Sequence, residues 1–421
     1  MRQLLDSVEF YDKRLSMNQT ATSASAVPAI SHAEFGDRIR RCQQELVKEK
    51  LDGVLIHSNE AEMASVRYFS DFWPIFEAAG VFIPAIGEPA LLVGPESETF
   101  ARGRSAIPAI YKMIEYREPA DPDYPGIAVT SFPDLFRAHC PSTPKRLGIV
   151  GWTIFPVPVM ESLRAALPNT EILKAEQVVR VLRAVKSPAE IACLAEGFRI
   201  SELALAAVVK ALRVGVTELE LVGVAQQVMY AHGAEYEGHP QYILSGPKSS
   251  DAISRPQDRR IAAGEMIQLN IGARFGGYSS SVGRPACIGK MPARLRELAE
   301  FGLEAHLWTY KALRPGVQAA EIATSYETWV KSRGMGEYLL YGPCHGLGII
   351  EVEPPWIEKT SKYALLPGMT FQADTFFQTP AGSRLGEPTR FGLRWEDGVV
   401  ITETGNRLLS GENPQIIEVD V

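Results

Sequence analysis

A segment near the middle of the chain is written twice. Ala211-Leu212-Arg213-Val214-Gly215-Val216 recurs as Ala312-Leu313-Arg314-Pro315-Gly316-Val317, and about a hundred residues also separate Gly264-Glu265-Met266-Ile267-Gln268-Leu269 from Gly368-Met369-Thr370-Phe371-Gln372-Ala373. A repeated helix end, helix and strand implies two half-domains that share one curved sheet and leave a site between them. Helix chemistry around the first copy is strong. Ser187-Pro188-Ala189-Glu190 is a capping box with proline in the first turn, and Ile191, Leu194, Phe198, Leu203 and Leu205 follow on a helical period. Thr217-Glu218-Leu219-Glu220 is a second capping box and opens the next helix.

The first 180 or so residues read differently. Asn18 to Ser25 is small and polar, the pattern of a mobile arm. Ser31 then caps an amphipathic helix through Ile39, Leu46 and Val47, and strands are expected at Gly53–Ile56, Ala79–Pro84, Pro89–Val93, Leu147–Val150 and Glu171–Leu173. This gives an arm over 1–31, an α/β domain over 32–178 and a larger domain over 179–421. At 421 residues and 46% hydrophobic, the chain can bury both cores. A net charge of −7 without a Lys/Arg block argues against nucleic acid, and no apolar run approaches the roughly 20 residues of a membrane span. Five scattered cysteines without Cys-x-x-Cys spacing indicate neither a disulfide framework nor a zinc knuckle. The first sixteen residues carry no secretory signal, so a cytoplasmic location is expected.

The polar motifs lie in the second domain. Gly342-Pro343-Cys344-His345-Gly346-Leu347-Gly348 precedes Glu353-Pro354-Pro355, and Asp374 and Glu396 sit inside apolar runs, where a carboxylate has to be paired or functional. Together these motifs resemble the catalytic half of the creatinase/aminopeptidase P superfamily. The resemblance implies an α/β fold: an N-terminal creatinase-type α/β domain followed by a pseudo-twofold α+β "pita-bread" domain. Metallopeptidases of that superfamily hold two divalent ions with two Asp, one His and two Glu. By resemblance His345 is their histidine, and Asp374 and Glu396 stand for the two glutamates. Asn270 and Ser281 occupy the places of both aspartates. Glu353 matches the glutamate of a His-Glu-Pro-Pro signature whose histidine is Val352 here. Creatinase, which works without metal, has lost the same two aspartates, but its general base falls at Ile253 and its guanidinium-binding glutamate at Gly283. Tyr68-Phe69-Ser70-Asp71-Phe72 resembles the segment that reaches a neighbouring subunit's site in creatinase, which implies a homodimer; otherwise it reads as a buried aromatic strand end.

Asn270 and Ser281 supply no charge to offset two dications, so a pair of ions is not expected. The leading expectation is an enzyme without a metal cofactor. It would be a creatinase-like hydrolase of C–N bonds, or a lyase, acting on a small cationic nitrogen or sulfur compound. His345 would transfer the proton, Asp374 and Glu396 would be its catalytic carboxylates, and His239, Glu353, Arg394, Asn270 and Tyr68 would bind substrate, with His239 as reserve base. Two alternatives stand beside it. One is an Xaa-Pro aminopeptidase-like hydrolase or lyase with one divalent metal ion on His345, Asp374 and Glu396. The other is a non-catalytic pita-bread binding protein.

Overall fold

The structure, a computed structural model, describes residues 27–411 and 414–421. The polar arm expected at Asn18–Ser25 lies outside the described residues. The N-terminal part runs α1 (His32–Lys48), β1 (Gly53–Ser58), α2 (Ala64–Ser70), β2 (Ala79–Pro84), β3 (Ala90–Val93), α3 (Glu98–Arg104), β4 (Ile110–Lys112), α4 (Phe132–His139), β5 (Arg146–Val150), α5 (Val157–Ala166), β6 (Glu171–Lys174) and α6 (Glu176–Ala184). Ser31 caps α1 by accepting from the Glu34 amide. The six strands form one sheet in the order β4-β3-β2-β1-β5-β6, parallel across β1, β5 and β6 and antiparallel around β2. Every residue of β1 and β2 is buried, because helices cover both faces, and this is why these strands read as continuous apolar runs.

The second part runs α7 (Pro188–Ala211), α8 (Glu218–Ala231), β7 (Tyr236–Glu237), β8 (Tyr242–Ser245), β9 (Ile267–Ile271), β10 (Ala273–Phe275), β11 (Tyr278–Ser279), β12 (Val282–Ile288), α9 (Ala293–Ala312), α10 (Ala319–Ser332), β13 (Cys344–Gly346), β14 (Thr370–Gln378), β15 (Gly392–Ile401), β16 (Asn406–Leu408) and β17 (Ile417–Val419). Both capping boxes form, at Ser187 with Glu190 and at Thr217 with Glu220. The written repeat is a structural one. Gly215 N donates to Ile261 O and Gly316 N to Leu365 O, each at 2.8 Å; Ile261 N returns to Val216 O and Leu365 N to Val317 O, each at 2.9 Å. Gly215 and Gly316 both take a left-handed φ, +83° and +81°, which explains the glycine in each copy. The two halves meet on one eight-stranded sheet with the path β13-β14-β15-β12-β9-β8, to which β16 and β17 add at β15 and β12.

One local expectation fails. Tyr68 to Ser70 do not end a strand but close the short helix α2, where Tyr68 is buried under the Arg38 guanidinium at 4.3 Å and donates its hydroxyl to Leu182 O. A run of aromatic residues is equally apolar in either state, and here tertiary packing decides.

Candidate active site

One row of residues crosses the sheet. Tyr242 on β8 pairs with Asn270 on β9, Asn270 with Gly283 on β12, Gly283 with Glu396 on β15, and Glu396 with Asp374 on β14. The gap in that row is Gly283: a Cβ there would stand 2.8 Å from Glu396 Cβ and 3.2 Å from Arg394 Cγ. Glycine therefore makes the room in which the Glu396 and Arg394 side chains lie. A cavity of about 380 Å³ opens above the row, lined by His239, His345, Glu351, Asp374, Arg394 and Glu396, with Ile253, Leu340, Val352 and Trp356 as an apolar rim.

Glu396 is held from below. Asn270 Nδ2 donates to its Oε2 at 2.5 Å and Ser281 Oγ at 2.6 Å, while His239 Nε2 lies 2.8 Å from both Asn270 Oδ1 and Ser281 Oγ. Burial would raise the Glu396 carboxyl, but Arg394, His239 and the Ser281 hydrogen bond outweigh it and hold the group below the ordinary carboxylate range. Behind the strand, Asp397 faces the other way, bonded to Arg284 at 2.9 Å and His306 at 3.0 Å, and Arg284 also donates to Glu396 O. This buried network anchors β15 at the site, and no motif announced His306 or Arg284.

Asp374 has separate partners. Tyr341 donates to its Oδ2 at 2.7 Å, and Arg394 Nε is 3.2 Å from its Oδ1. Arg394 is wedged between the Tyr242 and Phe376 rings, 5.6 and 5.2 Å from their centroids, and donates to Ala252 O. Burial raises the Asp374 carboxyl although Arg394 opposes it.

Glu351 is the acid that sequence motifs left unassigned. It lies on the irregular stretch after β13 with its carboxyl in the cavity, and His345 Nε2 is 3.7 Å from its Oε1, an oxygen that is buried without a hydrogen-bond partner. Burial and the neighbouring Glu396 carboxylate push Glu351 well above the ordinary carboxylate range. Ligand atoms of His345, Glu351 and Glu396 all lie within 4.8 Å of one another.

Two residues expected to bind substrate are elsewhere. Glu353 is enclosed in a salt-bridge triad with Arg183 and Lys186, and Tyr68 packs in the N-terminal part; neither lines the cavity. Asn270 sits below the cavity and reaches it only through Glu396 and His239.

The model of the metallopeptidase family M24 matches residues 192–403, and that of the creatinase/prolidase N-terminal domain matches residues 38–185. The chain belongs to metallopeptidase family M24. An Xaa-Pro dipeptidase of Pyrococcus horikoshii is 26% identical over 386 residues, 91% of this chain and 99% of the relative. A probable dipeptidase PepE of Mycobacterium tuberculosis is 27% identical over 327 residues, 77% of this chain and 80% of the relative. Among solved structures, the prolidase of Pyrococcus horikoshii superimposes with a TM-score of 0.76 at 23% identity, covering 90% of this chain and all of that one. The Xaa-Pro dipeptidase of Bacillus anthracis does so with a TM-score of 0.76 at 21% identity, covering 91% and 100%.

Membership in M24 bears out the expected fold and the expectation of a hydrolase of C–N bonds. It overturns the reading of a metal-independent creatinase-like enzyme for small cationic compounds, and with it the absence of a cofactor: the family is one of metallopeptidases, and the full-length relatives are dipeptidases. The residues present fit one ion. His345, Glu351 and Glu396 offer one nitrogen and two oxygens, and the unpartnered Glu351 Oε1 is a buried acceptor without a donor. Asn270 and Ser281 are neutral and bonded to Glu396, so they add no charge for a second ion; Asp374 accepts from Tyr341 at Oδ2, while its Oδ1, 3.2 Å from Arg394 Nε, is buried without a hydrogen bond among the described residues. Glu351 joins His345 and Glu396 in one group of possible ligands, and Asp374, the third member of the one-ion trio expected from the sequence, lines the same cavity.

Proposed function

We propose that the chain is a single-metal amide hydrolase for small peptide-like substrates, with His345, Glu351 and Glu396 as the ligands. The observation that carries this reading is the convergence of those three buried groups, within 4.8 Å, on the floor of a cavity whose rim is apolar. Dipeptidase relatives support the substrate class. A divalent ion there would lower the pKa of a bound water and polarise a carbonyl oxygen. The chain's own groups do the rest. Asn270 and Ser281 fix Glu396; Tyr341 and Arg394 fix Asp374; His239 borders the cavity with its Nε2 turned to Asn270 and Ser281 and its Nδ1 to Pro240 O, so it braces the support under Glu396. Ile253 and Val352, where the resemblance places histidines in peptidases, line the rim here and favour an apolar side chain on the substrate. All five cysteines are unpaired, in keeping with a reducing, cytoplasmic setting.

The test is hydrolysis of a dipeptide panel, Xaa-Pro and non-proline, by protein stripped with chelator and reloaded with Mn or Zn. Turnover that depends on the added ion supports the reading; turnover indifferent to chelator overturns it.

A further inference from the structure

A second cavity, about 190 Å³, lies between the N-terminal sheet and the stretch that carries Glu351. It sits at the carboxyl ends of β1, β5 and β6, the three mutually parallel strands, where open α/β sheets characteristically leave a ligand crevice. Its polar lining is incomplete. His57, only 2% exposed, has no hydrogen-bond partner at Nδ1, and burial depresses its pKa to about 4, so its ring is neutral near pH 7. Glu176 uses Oε1 to accept from the Trp152 amide, but its Oε2 is buried and unpartnered. Lys174 and Arg180 stand exposed at the rim and form no ion pair among the described residues. Arg183, by contrast, is already neutralised by Glu353.

We propose that this crevice binds a free α-amino acid, its carboxylate on Lys174 and Arg180 and its ammonium on Glu176. Two cations without an ion pair among the described residues, Lys174 and Arg180, and two carboxylates without one, Glu176 and Glu62, match a zwitterion and match neither an anion nor a cation alone. Size agrees: at about 190 Å³ the crevice has half the volume of the cavity beside His345, room for a small ligand. The assignment is independent of the hydrolase reading, since it uses none of the groups around His345. The two sites nonetheless share a wall. Val352 lines both cavities, with Glu351 turned to one and Glu353 held by Arg183 beside the other, so an occupant here touches the segment that positions Glu351.

Calorimetric titration of the whole chain with L-alanine and L-proline tests this, with acetate and methylammonium as single-charge probes. Saturable one-site binding, in the millimolar range or tighter, is expected for at least one amino acid and for neither single-charge probe. Lys174→Ala with Arg180→Ala, both exposed positions with no fold to lose, is expected to weaken binding at least tenfold, as is Glu176→Gln. Glu351→Gln, in the other cavity, is expected to leave it unchanged. No saturable binding, acetate or methylammonium binding as tightly as an amino acid, or binding that disappears in Glu351→Gln but survives the Lys174/Arg180 change would overturn the proposal.

Discussion

His345 Nε2 and Glu351 Oε1 face each other across 3.7 Å at the cavity floor, too far apart for a hydrogen bond, with Glu396 completing the trio. Burial and the neighbouring Glu396 carboxylate push the Glu351 carboxyl well above the ordinary range, so a charged Glu351 without a cation beside it works against the metal-free fold. Glu351→Gln is therefore expected to lower affinity for a divalent ion by more than the roughly 10–100-fold typical of outer-shell changes. In chelator, its melting temperature is expected to equal or exceed that of the parent. A lower melting temperature in chelator would show that Glu351 is a structural acid.

Asn270 and Ser281 hold Glu396 from the two positions at which the resemblance places aspartates. Asn270→Ala leaves Glu396 Oε2 with one donor and is expected to cost about 1–3 kcal/mol of stability in denaturant titration. Asn270→Asp with Ser281→Asp should do the opposite for metal: it places two further carboxylates beside Glu396, and elemental analysis is expected to show a second equivalent of ion. Uptake that stays at one equivalent would count against the registry assigned to the row across the sheet.

Arg394 is the counter-charge of buried Asp374. Arg394→Met is expected to cost about 3–5 kcal/mol, because it strands a carboxylate in a closed setting, and adding Asp374→Asn should recover part of that loss. Equal stability of the single and double variants would sever the proposed pairing.

His57 gives the fold a pH signature. Its folded pKa is about 4 against roughly 6.5 unfolded, so below pH 6.5 the unfolded chain takes a proton that the folded chain refuses. Stability from this group is complete above about pH 6.5 and falls as pH drops toward 4, by about 3 kcal/mol in all. His57→Phe, whose ring would pack between Tyr116 and Phe155, is expected to flatten the unfolding free energy across that window. An unchanged slope would place the acid sensitivity elsewhere.

Much of this was legible in the residues, for physical reasons. The repeat survives in sequence because each copy needs a left-handed glycine and a helix end at the same point, Gly215 and Gly316. The capping boxes are legible because their hydrogen bonds are local. His345, Asp374 and Glu396 stand out as polar residues in apolar strands. Glu351 does not, because it lies on irregular backbone where no periodicity marks a buried position, and its role comes from groups that the chain brings to it from β13 and β15. Glu353, two residues on, carries the more conspicuous motif yet is tied up by Arg183 and Lys186. The neutral Asn270 and Ser281 were read as removing the metal; they withhold charge from a second ion, while Glu351, which no motif marks, adds a third possible donor beside His345 and Glu396.

The central claim is a single ion bound by His345, Glu351 and Glu396, and the most direct measurement is a metal titration of chelator-stripped protein with Mn or Zn, read by calorimetry and elemental analysis alongside His345→Ala. The account predicts one equivalent per chain, lost in His345→Ala, with amide hydrolysis rising in proportion to occupancy. Two equivalents in the parent protein, or one that persists in His345→Ala, would contradict it.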